Sequence, residues 1–432
     1  SYSPMIGAGA MSVTIEGVTY DALTTDVLGT ARPNPSGTSP DIGAYESSES
    51  AADYNPHKYV ATTGSNSNSG VLTDPFLTIQ YAIDQAIDDD FIHVAAGTYV
   101  ENIDYDGKNI SIIGEDRETT IIDGNQNGPV VDCYFNNMYF TPVLQSVTLT
   151  NGVGINFESN ILGGGIFARY SNPQLNDVMI TNCSANLGSA IYTYNPATSD
   201  ITTIKNCVIT GNTAGANDGT IHATTSNIKI VSSLISDNSS GGGLFFDGID
   251  VSSQVINSSI INNANNMGVM LQGGTNTIIN SIISGNESTQ LRILSSCNLT
   301  VEYSDIDGGQ DSVLVEGNAV LNWGSGNIDK NPSFVDAANG DYSLLNYSPA
   351  IGAGASSVTI SDVTYNAPST DMVGNPRPNP AGSAPDMGAY ESELGTPLPK
   401  TIYTVRKDGT GDYTTIQAAI DVVSDGDTVS VA

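Results

Sequence analysis

Seven short β-branched segments, each closed by a polar turn, recur through the middle of this chain. They are Val147–Asn151, Val178–Asn182, Cys207–Asn212, Ser233–Asn238, Ser259–Asn263, Ser281–Asn286 and Ser304–Gly308. Their central residues, Leu149, Ile180, Ile209, Ile235, Ile261, Ile283 and Ile306, are separated by 31, 29, 26, 26, 22 and 23 residues. A second column keeps the same pitch: Gly163-Gly-Gly-Ile-Phe167, Gly188-Ser-Ala-Ile-Tyr192, Asp218-Gly-Thr-Ile-His222, Gly241-Gly-Gly-Leu-Phe245 and Met267-Gly-Val-Met270. Each puts a small turn before a strand. Strands this short cannot bury an apolar face alone, but coils stacked about 4.8 Å apart can pair with one another and align like residues inside. Parallel crossovers are right-handed almost without exception. The expected fold is therefore all-β, a right-handed parallel β-helix over residues 91–345, with Ile180, Ile209, Ile235, Ile261, Ile283 and Ile306 as one inward column. Asn151, Asn182, Asn212, Asn238 and Asn286 recur where the chain must turn. Asparagine tolerates left-handed backbone and its amide can bond along the stack, so these residues read as a structural ladder rather than a ligand face.

A larger repeat encloses the smaller one. Ser1–Ser47 matches Asn346–Ser392 at 31 of 47 positions, and Leu77-Thr-Ile-Gln80 with Ala82-Ile-Asp84 is answered by Thr414-Thr-Ile-Gln417 with Ala419-Ile-Asp421. Self-similarity on this scale announces a tandem array. The chain divides into a module tail (1–47), a linker and lead-in (48–74), a capping helix (75–90), the β-helix (91–345), a second tail (346–392), a linker (393–400) and the cap of a further module (401–432). Ile79, Ala82, Ile83, Ala86 and Ile87 share one helical face, suited to covering the open end of a solenoid.

Basic residues number 13 against 46 acidic, a net charge of −33. Such a surface repels phosphate backbones and anionic lipid, so nucleic acid is not an expected partner. No apolar run is long enough to span a bilayer. The four cysteines lack metal-ligand spacing; Cys183 and Cys207 lie 24 apart, close to one coil, which leaves a disulfide and buried thiols both open.

Asp408-Gly-Thr-Gly-Asp-Tyr-Thr-Thr-Ile-Gln-Ala-Ala-Ile-Asp421 resembles the opening of pectin-methylesterase-like and pectate-lyase-like β-helices. The coils with Gly-Gly-Gly-Ile resemble repeats of bacterial polymorphic outer-membrane and surface proteins. Asn331-Pro-Ser-Phe-Val-Asp336, Gly340-Asp-Tyr-Ser-Leu344, Ser348-Pro-Ala-Ile351 and the tail ending Asp386-Met-Gly-Ala-Tyr-Glu391 resemble the closing segment of secreted bacterial right-handed β-helix repeat proteins. The resemblance implies the fold and a secreted bacterial setting. It leaves activity open, because proteins of this kind include lyases, esterases, adhesins and structural proteins.

Only Gln310-Asp311 matches the Gln-Asp element of the esterases, and no Gly-His-Gly element is present. The basic residues of the coils, Lys108, Arg117, Arg169, Lys205, Lys229, Arg292 and Lys330, are scattered. His222 with Asp218, Asp247 and Asp250 could do acid/base work on a sugar, against the plainer reading of a strand histidine with solvated turn carboxylates. Asp305, Asp307 and Asp311 alternate before a glycine turn, and oxygen ligands of this kind suit Ca²⁺, though no cofactor is required. Arg32 and Arg377, set among Asp26/Asp371 and Asp41/Asp386, read as internal ion pairs bracing the tails. The expectation is a protein that is not an enzyme: an extracellular, cell-surface structural protein whose modules build a long acidic, adhesive fibre. Its expected partners are other copies, end to end, and surface glycans. The alternative is a secreted polysaccharide-active enzyme (lyase, esterase or glycosidase) or a carbohydrate-binding β-helix.

Overall fold

A computed structural model describes residues 6, 8–16, 18–34, 36–47, 55–196, 200–216, 218–264, 267–423 and 426–432. Of the linker and lead-in expected over 48–74, residues 48–54 lie outside the described residues. Two compact units are present, residues 1–57 and 58–432.

The larger unit is a right-handed parallel β-helix. One of its faces is a nine-stranded parallel sheet running in chain order through Ile103–Asp104, Val131–Tyr134, Ile166–Arg169, Ile191–Tyr194, Gly219–Thr224, Gly242–Asp247, Met267–Gln272, Thr289–Leu294 and Leu314–Val315. Its inward side stacks Ile166, Ile191, Ile221, Leu244, Val269 and Leu291, all at most 1% exposed. The remaining strands bend around the other faces. Val143–Thr150 pairs on either side of a corner at Ser146, which takes a left-handed φ of 53°.

The glycines before the nine-stranded sheet have a steric reason. A Cβ on Gly164 would run into the Ser189 carbonyl of the next coil, and one on Gly242 into that of Met267. Coil-to-coil approach here admits hydrogen and nothing larger.

Asparagine serves two separate purposes along the stack. Asn151 and Asn182 turn the corner, with φ of 58° and 55°; Gly211, Asp237, Asn262 and Gly285 take over that left-handed position in later coils. The buried amide ladder lies one residue further on. Asn212 Nδ2 donates to Asn238 Oδ1 at 3.0 Å, Asn238 Nδ2 to Asn263 Oδ1 at 2.9 Å, and Asn263 Nδ2 to Asn286 Oδ1 at 3.0 Å. Gln290 Oε1 ends the series, accepting from Asn286 at 2.7 Å. A serine ladder, not foreseen, runs beside it: the backbone N–H groups of Ser233, Ser258 and Ser281 donate to the hydroxyls of Ser258, Ser281 and Ser304.

These ladders fix the register and correct one member of the expected isoleucine column. Ile180, Ile209 and Ile235 stack inward as expected, but Ile235 faces Ile260, which continues to Ile283 and Ile306. Ile261 points outward to the flank, where it packs with Leu234 and Ile282 beneath the second tail. The spacing of 25 between Asn238 and Asn263, set by the ladder, aligns Ile260 with Ile235.

The cap helix spans Ile79–Gln85, with the Thr78 side chain accepting from the Tyr81 N–H. Ile79, Ala82 and Ile83 are fully buried. Ile87 is 40% exposed, because the helix has ended and Ala86 is extended. The counterpart helix Ile416–Ile420 has the same N-cap, supplied by Thr415. At the far end of the solenoid, strand Val320–Trp323 holds the chain's one tryptophan, partly buried against the core.

The smaller unit carries the hairpin Ser12–Ile15/Val18–Asp21 and the ion pair Arg32–Glu46 at 2.7 Å. Its counterpart in 346–392 carries the hairpin Ser357–Ile360/Val363–Asn366 and the fully buried pair Arg377–Glu391 at 2.8 Å. Both arginines thus brace their tails through a glutamate, with the aspartates serving backbone N–H groups. All four cysteines are free and buried. Among the described residues no helix is long and apolar enough to cross a membrane.

Candidate functional site

Side chains alternate across a strand, so the nine-stranded sheet presents two outward columns. In the first, Asp104 lies opposite Asp132, followed by Phe167, Tyr192, His222, Phe245 and Met270. The second, two residues along, aligns Tyr134, Arg169, Tyr194 and Thr224. Rings stack down the first column, with centroids 6.0 Å apart for Phe167–Tyr192 and 5.4 Å for Tyr192–His222.

Arg169 occupies the centre. Its guanidinium carbon lies 4.5 Å from the Phe157 ring centroid, 5.2 Å from those of Tyr170 and Tyr194, and 5.8 Å from that of Tyr134. Phe157 is delivered by the hairpin Ile155–Phe157/Asn160–Leu162, an excursion of one coil over the sheet. Tyr139, half exposed, meets Tyr170 edge-on. Among the described residues Arg169 has no ion pair, although the protein carries 46 carboxylate side chains. Three other cations of the coils are engaged: Arg117 pairs with Glu118 and Asp177, Arg292 with Glu316, and Lys108 donates to carbonyls at the end of the cap helix. A planar cation among aromatic faces keeps its N–H fork free for a carboxylate.

Below this group lies the Asp104/Asp132 pair on adjacent coils. Each uses one oxygen locally: Asp104 Oδ1 accepts from Asp106 N at 2.8 Å and Asp132 Oδ1 from Tyr134 N at 3.0 Å. Burial, then the neighbouring Asp104 charge, pushes the Asp132 carboxyl up to about 7, and burial raises Asp104 in the same direction. The pair therefore takes up a proton as pH falls through about 7, as close carboxylates in a poorly solvated place do.

The residues singled out from sequence fall elsewhere. His222 is 6% exposed and both ring nitrogens are occupied, Nδ1 by Asp218 at 2.7 Å and Nε2 by the Thr224 hydroxyl at 2.8 Å. Asp247 sits beside Thr224 on the next coil, and Asp250 is exposed in the turn beyond. The imidazole is packed and bonded as a structural group, between the Tyr192 and Phe245 rings.

Asp305 is a buried strand residue, 1% exposed, whose Oδ1 accepts from Lys330 N at 3.0 Å. Asp307 Oδ2 reaches Gly285 N at 3.4 Å, and Asp311 lies in the exposed 3₁₀ turn Gln310–Ser312. Among the described residues no group of three or more His, Cys, Asp or Glu side chains is arranged to hold a metal ion. Burial pushes the Asp305 carboxyl up to about 7, with the nearby Asp329 and Asp307 charges adding to the effect.

That shift has a sign that can be tested. The folded state holds the Asp305 proton more tightly than the unfolded state, whose ordinary value is 3.8. The associated stability is complete below about pH 4 and is lost as pH rises through about 7. Asp305→Asn is therefore expected to flatten the fall in stability between pH 5 and pH 8, by on the order of a few kcal/mol. Urea melts of both proteins at the two pH values measure it; an equal fall in both would refute the assignment.

No family model and no curated protein matches the sequence. Among solved structures the chain is similar to a pectin methylesterase from carrot, at 16% identity and TM-score 0.31, over 68% of this chain and 99% of that one. It is similar to a pectate lyase at 15% identity and TM-score 0.37, over 78% and 96%. A rhamnogalacturonan lyase follows at 12% identity and TM-score 0.37, over 65% and 90%. The likeness is one of fold, a pectate-lyase-like parallel β-helix. It also corrects the expectation that the chain is not an enzyme. The solved structures it is similar to are a pectin methylesterase, a pectate lyase and a rhamnogalacturonan lyase.

Proposed function

We propose that this β-helix binds an acidic polysaccharide across the outward face of its nine-stranded sheet and acts on it by acid/base chemistry at Asp132 and Asp104. The observation that carries the reading is the unpaired guanidinium of Arg169, held among Tyr134, Phe157, Tyr170 and Tyr194. Half-exposed tyrosine rings stack on sugar faces, and the free N–H fork can donate to both oxygens of a uronate carboxylate. Asp132 lies one coil back and two residues along, about 8 Å from Arg169 by strand spacing. Protonated, Asp132 would not repel an anionic chain and could deliver its proton to the glycosidic oxygen as its bond to carbon breaks, while Asp104 takes the proton from the carbon bearing the uronate carboxylate and a C=C bond forms between the two carbons. Polymers of this kind are met outside the cell, which is where the reading sets the protein.

Affinity electrophoresis through gels containing polygalacturonate, alginate or a neutral glucan tests the binding half. Retardation is expected in the acidic gels only. Arg169→Ala should weaken it about tenfold or more, and Arg169→Lys nearly as much, since an ammonium lacks the planar fork. Equal retardation by the neutral glucan, or an unchanged Arg169→Ala protein, would overturn the assignment.

A second reading, modules assembled into an extended array, is favoured by one observation: the tail structure occurs twice. The two readings are compatible, because the tail of 346–392 docks on the flank and leaves the aromatic face open.

A further inference from the structure

The two tails are alike inside and differ in what covers them. Asp26 accepts from the Leu28, Thr30 and Glu46 N–H groups, as Asp371 does from Val373, Asn375 and Glu391. Their outer faces part company. Met372 is 5% exposed and Met387 0%, whereas the counterparts Val27 and Ile42 are 65% and 53% exposed. Ala389 is fully buried, and its counterpart Ala44 is exposed.

The cover in the second tail is specific. Met372, Met387 and Ala389 pack on Leu234, Ile261 and Ile282 of the solenoid flank. Polar contacts set the pose: Ala355 N donates to Asn280 Oδ1 at 2.8 Å, Gly388 N to Asn280 O at 2.7 Å, and Ala389 N to the Ser259 hydroxyl at 3.0 Å. The counterpart N–H groups of Ala10, Gly43 and Ala44 donate no hydrogen bond among the described residues. An apolar face flanked by three exposed backbone donors repeats, group for group, the surface by which 346–392 docks.

We propose that the face of residues 1–47 docks on the flank of a second β-helix of this chain's own kind, in the pose that 346–392 adopts here. The partner surface is an outward column of Leu and Ile set beside corner Asn and Ser side chains. This chain's own column of that kind is filled by residues 346–392, so the partner flank belongs to another solenoid. The proposal concerns assembly and stands apart from the polysaccharide reading.

The test places such a flank within reach. Residues 48–345 are fused ahead of the intact full chain, and hydrogen exchange is compared with that of the full chain alone. Amides of Ala10, Gly43 and Ala44 should slow on the order of 100-fold in the fusion, approaching Ala355, Gly388 and Ala389. Ile42→Asp in the fusion should restore fast exchange there and leave 346–392 unchanged. Exchange in 1–47 that is the same with and without the added solenoid overturns the proposal, whether or not that solenoid folds. Protection that survives Ile42→Asp overturns it too, because the contact would then use another face.

Discussion

Ile260→Asp is expected to abolish folding of the β-helix, whereas Ile261→Asp should leave the solenoid intact and release the second tail. Ile260 is fully buried between Ile235 and Ile283, surrounded by side chains that cannot solvate a charge. The substitution forfeits about 2–3 kcal/mol of apolar burial. It adds several kcal/mol more for an unpaired carboxylate, or for the proton uptake that avoids it. Together these rival the whole stability of an ordinary domain. Ile261, one residue on, is buried on the flank, in a cluster with Tyr342 and with Met372, Met387 and Ala389 of the second tail. Far-UV circular dichroism with limited proteolysis separates the cases: loss of β signal for Ile260→Asp, a retained signal with early cleavage in the tail for Ile261→Asp. The reverse order would show the register to be wrong by one.

On an acidic polysaccharide, Asp132→Asn should lower turnover by about 10²–10⁴-fold while leaving affinity within about threefold. The asparagine keeps the acceptor used by Tyr134 N but has no proton to give. Because the wild-type carboxyl titrates near 7, kcat/KM should fall as pH rises through that value, and any residual activity of the variant should lack that limb. Assays of product release from pH 5 to 9 decide it. Unchanged turnover in Asp132→Asn would remove this pair from the chemistry, while binding at Arg169 would stand or fall by its own test.

The fold was legible because a solenoid writes its geometry directly into spacing. Ile180, Ile209 and Ile235 announced the inward column. The failure at Ile261 came from Ser259-Ile-Ile, which offers two isoleucines and lets period alone choose either. What settles the choice is the amide of Asn263, a constraint that pairs residues on different coils and leaves no local mark. The aromatic face was harder to see for a related reason. Tyr134, Arg169 and Tyr194 are 35 and 25 residues apart and form no motif. One signal was present: Phe167, Tyr192, His222 and Phe245 all follow the apolar residue of their Gly-rich turn. Counted as strand residues, they hid the column of rings. The excursion that brings Phe157 over Arg169 breaks the repeat, and repeats are read by what they keep.

The position of the single tryptophan bears on how any unfolding experiment reads. Trp323 belongs to the last strand of the solenoid, packed against the core from the end. In a stack where each coil touches only its neighbours, terminal coils open at lower free energy than central ones. Intrinsic tryptophan emission will therefore track fraying of one end, and can change while the coils around Ile209 and Ile235 are still paired. A melt followed by emission and one followed by far-UV dichroism should part on the temperature axis, and the gap between them gauges how far opening travels along the stack before the whole gives way.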